Sequence, residues 1–196
     1  MLNSSMAYMR IANVDGEEPY GSTMKLIKIA GFRHGLTVPM SPMRPSVGAQ
    51  ATLRRSYCEH GDMSVFKGLD TTSGKIFDLC SRAAIITDIS LLLCRSDTGS
   101  NPLNSGEYGP IPFLSIVMTQ AVIANFTYEF KSGWPTEQLD IRYTSISWIL
   151  DWVSPVNGAA ANLGGVGWNG GTNVPTPPYT SSAMIPSTVN YNTNSF

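Results

Sequence analysis

From Tyr8 to Trp152 the apolar residues of this chain mostly alternate with polar ones, the two-residue period of strands that bury one face. Tyr8 to Val14 and Met24 to Phe32 read as strands joined by a turn rich in Gly, Glu and Pro. Thr52 to Lys67 reads as a strand pair bent at Gly61. Only Thr71 to Arg82 has helical spacing, with Ile76, Phe77, Cys80 and Ala84 on one face and Asp70 or Thr72 placed to cap the first amides. Three long strands follow. In the first, Ile85, Ile89, Leu91 and Leu93 alternate with Asp88 and Ser90. In the second, Leu114, Ile116, Met118, Val122, Ala124, Phe126, Tyr128 and Phe130 fill one face. In the last, Gln138 to Trp152, the residues Leu139, Ile141 and Tyr143 hold odd positions, whereas Ile146, Trp148, Leu150 and Trp152 hold even ones. Side chains alternate strictly along a strand, so this switch predicts a bulge near Thr144 and Ser145. Long strands, one short α-helix and a bulge predict a mainly β fold, an antiparallel β-barrel closed or nearly closed.

Stretches without this period mark loops and a boundary. Val38, Pro39, Met40, Ser41, Pro42, Met43, Arg44, Pro45, Ser46, Val47, Gly48, Ala49 and Gln50 form a segment with a proline at every third position from Pro39 to Pro45. That spacing favours an extended, stiff loop and discourages strand pairing. A second loop, rich in Gly, Asn and Ser, runs from Ser96 to Pro110. From Ser154 to Phe196 the 43 residues contain no charge, and 28 of them are Gly, Pro, Ser, Thr or Asn. Nothing there repeats at helix or strand period, and such a segment does not bury enough apolar surface to order itself alone. The chain therefore divides into a barrel domain, residues 1–153, and an uncharged C-terminal extension, residues 154–196. Trp168, Tyr179, Met184, Ile185, Tyr191 and Phe196 are left in the extension as anchors for a partner surface.

Composition narrows the function. The chain of 196 residues suits one core, and its apolar share of 42% is ordinary. Its charged share of 14% is low against the roughly 25% of globular domains, which points to surface covered by other protein. The net charge of -1 argues against nucleic acid or an anionic membrane as partner. Cys58, Cys80 and Cys94, odd in number and irregularly spaced, read as reduced, buried thiols. No basic patch followed by an apolar run opens the chain, so no signal peptide is read. The longest apolar stretch, Ile111 to Phe126, is too short and too polar for a membrane-spanning helix.

Each chemical motif has a plainer explanation. Cys58 and His60 share a strand face as a nucleophile and base would, or as half a metal site, but His34 is the only other histidine and zinc needs three or four ligands. Gly165-Val166-Gly167-Trp168-Asn169-Gly170 matches a dinucleotide fingerprint in letters, without the strand before and the helix after that the phosphate site requires. Asp140 and Asp151 lie eleven residues apart across the phase switch, with nothing to set the spacing of a glycosidase pair. Asn125-Phe126-Thr127 fits a glycosylation sequon, which means little without secretion. No catalytic residue, metal or cofactor is assigned, and the chain is read as not an enzyme.

Five ordered motifs resemble one family. Ile27, Ile29, Phe32, His34 and Gly35 fit I-x-V-x-x-F-x-H-G, followed by Arg54-Arg55 and His60-Gly61-Asp62. Leu69-Asp70-Thr71-Thr72-Ser73-Gly74-Lys75-Ile76 fits L-D-x-x-S-P-x-L, with Gly74 in place of the proline. Cys94-Arg95 closes a strand, and Leu139, Ile141, Tyr143, Ile146 and Trp148 fit V-x-F-x-Y-x-x-I-x-W, phase switch included. From Ala7 to Trp152 the chain resembles the haemolysin-coregulated proteins (Hcp), tube subunits of bacterial type VI secretion systems. Gly74, the Ser96–Pro110 loop and the extension depart from that pattern.

The resemblance implies a six-membered ring of identical chains, with rings stacking into a tube. Such a tube is capped by a spike, driven by a contractile sheath and filled with effector proteins. Val38 to Gln50 then corresponds to the loop that contacts the next ring. A subunit of this kind is made in the cytoplasm and leaves through the apparatus itself, with no membrane insertion. The alternatives are a tail-tube protein of a phage or phage-like contractile particle, which shares fold and stacking, and a monomeric β-barrel ligand-binding protein.

Overall fold

The computed structural model describes residues 5–20, 24–39, 58–95, 111–131, 133–153 and 160–177. Most of the proline-rich loop (from Met40 on), Arg54 and Arg55, the Ser96–Pro110 loop and the last residues of the extension lie outside the described residues. In chain order the elements are β1 (Ser5–Ile11), β2 (Glu18–Tyr20), β3 (Met24–Ile29), β4 (Gly31–Arg33), β5 (Leu36–Thr37), β6 (Glu59–His60) and β7 (Met63–Gly68). There follow α1 (Ser73–Ser81), β8 (Ile86–Arg95), β9 (Ile111–Lys131), β10 (Trp134–Arg142), β11 (Ser145–Val153), β12 (Ala160–Asn169) and β13 (Val174–Thr176). The fold is mainly β and antiparallel, with one helix, as the alternation predicts.

The main path of strands runs β13-β12-β11-β9-β8-β1-β3-β2. The far half of β9 leaves this path to pair with β10, β10 pairs with β7, and β7 pairs with β4. Because β3 passes through Ala30 into β4, with the Ala30 amide donating to the Phe66 carbonyl at 2.7 Å, the circuit returns to its start around a corner. This is a barrel built from two ladders meeting at bends, and not one unbroken hydrogen-bonded ladder. Its inside holds Met9, Ile27, Met63, Val65, Ile89, Leu91, Ile116, Met118, Leu139 and Ile146, all essentially inaccessible to water. On the opposite face of the sheet Tyr8, Leu26, Leu92 and Cys94 make a smaller cluster. Both faces of β8 are therefore buried, where alternation predicted one: Ser90 is fully buried, and Asp88 is held by Arg10 at 2.5 Å.

The phase switch at Thr144 is real, but it is not a bulge within one strand. It is the break between β10 and β11, and it belongs to a fold line that crosses three strands. Ile141 and Ile146 point inward on either side of Tyr143–Thr144; Met118 and Ala121 do so on either side of Gln120; Ile89 and Ile86 do so on either side of Thr87–Asp88. Ala121 faces Ile86, and Met118 faces both Ile89 and Ile146, so the three switches lie at one level. Gln120 turns β9 there with φ of 49°, in the left-handed region. Consequently Ile85, read as the first inward residue of its strand, is exposed, and Ile86 takes its place. The even-numbered face of β9 is not continuous either. Ala121 and Ile123 replace Val122 and Ala124 in the core, and a true register shift opposite Asp140 and Ile141 restores even parity at Phe126. Beyond Phe126 the β9–β10 hairpin runs past the core, leaving Tyr128 and Phe130 exposed.

Helix α1 is shorter than its apolar spacing predicts, and Phe77 is mostly exposed, touching Phe126 edge-on at 6.0 Å. Ile76 is the apolar residue it buries, with Leu79 and Cys80 packed beside it. Asp70 does the capping work ahead of Thr72. Its Oδ1 accepts the Thr72 amide at 2.8 Å and the Thr72 hydroxyl at 2.5 Å. The helix stops at Ala83, whose φ of 46° lets the Ala84 amide reach back to the Leu79 carbonyl at 3.0 Å.

The larger correction concerns the extension. Residues 160–176 are not bare: β12 pairs along β11, from Ser145 facing Asn169 to Val153 facing Ala160, and β13 pairs with β12. Glycine there serves close packing. A Cβ at Gly167 would lie 2.6 Å from the Thr176 carbonyl oxygen and 2.8 Å from that of Pro177. We expect Gly167→Ala to lift β13 off the sheet at a cost of about 1–3 kcal/mol. Urea denaturation measures the loss, and faster proteolysis after Gly170 locates it.

Candidate functional site

The segment Glu59–Ser73 supplies β6, β7 and the start of α1, and its polar residues divide between two clusters. The first closes one end of the barrel under the helix. Lys67 and Glu137 are direct partners across β7 and β10, in phase with Val65 and Leu139, so both side chains point inward. Lys67 Nζ, wholly inaccessible to water, donates to Glu137 Oε2 at 2.6 Å, the Gly68 carbonyl at 2.8 Å and Ser73 Oγ at 3.2 Å. It also stands 3.0 Å from Asp70 Oδ1. Burial tends to raise the Asp70 pKa, but hydrogen bonds from the Thr72 hydroxyl and from Lys67 outweigh it and hold the carboxyl below its usual range. These bonds run between β7, β10 and the start of α1, which makes the cluster an internal tie between strand and helix.

The second cluster sits at the fold line. His34, between β4 and β5, and His60, on β6, come together with ring centres 6.0 Å apart. Tyr143, from the β10–β11 break, bridges them: its Oη lies 2.6 Å from His34 Nε2 and 3.3 Å from His60 Nδ1. Trp148 of β11 stands against both rings, and Trp168 of β12 stacks on His60 at 6.0 Å and 16°. Burial lowers the pKa of both histidines, and for His34 the neighbouring His60 charge adds to the effect. The Tyr143 hydroxyl is raised, chiefly by burial, and stays protonated. Alongside runs an open cleft of about 580 Å³, lined by Cys58 to Asp62, Arg142, Tyr143 and residues 170–173. At its edge Arg142 holds Asp62 by two hydrogen bonds of 3.0 Å.

The catalytic candidates do not converge. Cys58 and His60 share the cleft, but the partner described for His60 is Tyr143. No group of three His, Cys, Asp or Glu suited to a metal occurs among the described residues. Asp140 and Asp151 stand on different strands, and Asp140 is occupied by Ser64 at 2.7 Å, Asn125 at 2.9 Å and Gln138 at 3.0 Å. Asn125 of the sequon is thereby engaged with Asp140. The Gly165–Gly170 run lies on β12 and leads into a turn, where the Gly170 amide donates to the Thr144 carbonyl at 2.8 Å. The three thiols are free; Cys94 is buried, its pKa pushed up to about 12 by burial, whereas Cys58 and Cys80 are half-buried. Of the proposed stacking loop, only Val38 and Pro39 are described, Val38 being exposed just after β5. None of the described helices is long and apolar enough to cross a membrane.

A family model described as type VI secretion system effector, Hcp, matches residues 8–149. The chain belongs to the Hcp family. Solved structures share its fold. One described as a type six secretion system protein aligns over 88% of this chain and 100% of its own, with a TM-score of 0.69 and 21% identity. Hcp1 from Salmonella typhimurium aligns over 88% and 99%, with a TM-score of 0.62 and 14% identity. A type VI secretion system effector from Yersinia pestis aligns over 83% and 98%, with a TM-score of 0.57 and 13% identity. At such identities the likeness speaks for the fold alone. No curated protein sequence matches the chain. Hcp is a family of type VI secretion tube proteins and not of enzymes. The Hcp match ends just before β12, so the two strands of the extension lie beyond it.

Proposed function

We propose that this Hcp chain is the structural subunit of a type VI secretion inner tube. Six copies form a ring, rings stack into a tube, effector proteins travel in the lumen, and the subunit itself is exported on sheath contraction. The observation that carries this reading is the family match over residues 8–149. The surface supports it. In a chain with 14% charged residues, Tyr128, Phe130, Trp134 and Val166 are each mostly exposed, which suits contacts between copies. A ring of identical copies needs a heterologous interface that closes, and covered strand edges would lower the hazard of open pairing. The spike and the sheath are the further partners. Residues 1–153 are the tube-building domain, with 154–196 as an extension whose first strands lie against it.

Light scattering of purified protein tests the ring: a hexamer is expected, and a stable monomer at micromolar concentration overturns the reading. Deletion of Val38 to Gln50 tests the stacking. Rings are expected to persist without filaments, and filaments seen by negative-stain microscopy of the deletion variant would refute that role for the loop.

A further inference from the structure

The histidine pair at the fold line has a task that tube building leaves unused. Strands β5 and β6 form a two-stranded sheet of their own, paired among the described residues at Leu36 with His60 and Thr37 with Glu59. The Gly61 amide adds one bond to the Gly35 carbonyl at 2.9 Å. A ladder this short is marginal in water. Beyond the paired strands β4 and β7 that it continues and the Arg142–Asp62 pair, it is held to the barrel by His34 and His60, through Tyr143, Trp148 and Trp168. We infer that His34, His60 and Tyr143 form a proton-operated clasp, which holds the β5–β6 ladder to the barrel corner while both rings are neutral and releases it when they take up protons.

The hydrogen bonding explains the polarity of the switch. With His34 neutral and Nδ1 carrying the proton, Nε2 accepts the Tyr143 hydroxyl. The same oxygen then accepts Nδ1–H of His60. The chain of bonds uses the single hydroxyl proton of Tyr143 once. A proton on His34 Nε2 turns that acceptor into a donor, so the Tyr143 proton must leave the bridge. It also sets a charge beside a second imidazole ring 6.0 Å away.

The charged groups around the corner come from several elements. From the β6 side come Cys58, Glu59 and Asp62; Glu59 is exposed, and Asp62 is bound to Arg142. From the β10–β11 side come Arg142, a fixed cation, and Tyr143. Trp168 and Asn173 bring no titratable group from the β12–β13 side. Both histidines titrate below the ordinary value of 6.5 in the folded chain, so the folded state binds fewer protons than the released one. The clasp is therefore intact above that value and weakens as pH falls from it toward the folded pKa values.

The consequence for assembly rests on the tube reading, because β5 and β6 are the roots of residues 38–58, which include the proposed stacking loop. The test uses the full chain. Hydrogen exchange is followed at the Glu59 and Gly61 amides, the ones that bond across the ladder, at about pH 7.5 and about pH 4.5, corrected for intrinsic rates, with Met118 as the core reference. About a tenfold loss of protection at the ladder in acid, with Met118 unchanged, is expected. Equal protection at both pH values overturns the clasp. In His34→Gln/His60→Gln the ladder is expected to exchange alike at both pH values, and acid-labile protection that persists in the variant assigns the effect elsewhere and overturns the proposal. Sedimentation of filaments at the two pH values reads the assembly consequence. A chain that forms no ring at any pH refutes the tube reading, while the exchange result still decides the clasp.

Discussion

Replacing Lys67 with methionine is expected to destabilise the barrel by about 3–5 kcal/mol, although the new side chain is apolar and similar in length. The reason is Glu137, left ionised at the closed end of the barrel without its partner at 2.6 Å. Asp70 suffers less, because the Thr72 amide and hydroxyl still serve it. The double replacement Lys67→Met/Glu137→Leu removes both charges and should return to within about 1 kcal/mol of the parent. Urea denaturation followed by circular dichroism measures both. A double variant as weak as the single one would show that the ammonium itself, and not the orphaned carboxylate, is what the fold needs.

The same pair shows where pattern reading succeeds and where it stops. Lys67 and Glu137 stand in phase with Val65 and Leu139, so their inward direction is present in the sequence; what is missing is any signal that each answers the other across a ladder between strands 70 residues apart. Alternation located the fold line through Ile141 and Ile146 but described it as a bulge, because a change of phase looks the same whether a strand bulges or breaks. On β9 the alternation cancelled itself. The turn at Gln120 shifts parity once, and the register shift opposite Asp140 shifts it back, so Leu114 and Phe126 both fall on even positions although Ala121 and Ile123 between them do not. The strands of the extension were illegible for another reason. Their glycines suppress the apolar period, and pairing with β11 supplies the order that residues 160–176 lack alone. His34 and His60 are separated by 26 positions, and their bridge depends on Tyr143, whose own position was legible only as part of the strand pattern.

Truncating two residues that share one face of the β9–β10 hairpin should give opposite results. Leu139→Ala is expected to cost about 2–5 kcal/mol, because Leu139 is wholly buried among the core strands and a cavity remains where it stood. Phe130→Ala, a larger deletion, should change stability by no more than about 0.5 kcal/mol, since 73% of that residue already meets water in the single chain. Leu139 faces Phe126, and Phe130 lies two inward positions further along β9. The core therefore ends within a few residues, while the apolar pattern continues. That continuation has a physical use only if something outside the single fold covers Tyr128 and Phe130, and in the tube reading it is a second copy of the chain. Thermal denaturation at low protein concentration isolates the folding effect. Light scattering at higher concentration then shows whether Phe130→Ala weakens association while leaving the barrel intact. A Phe130→Ala variant as unstable as Leu139→Ala would mean that the hairpin tip belongs to the core after all.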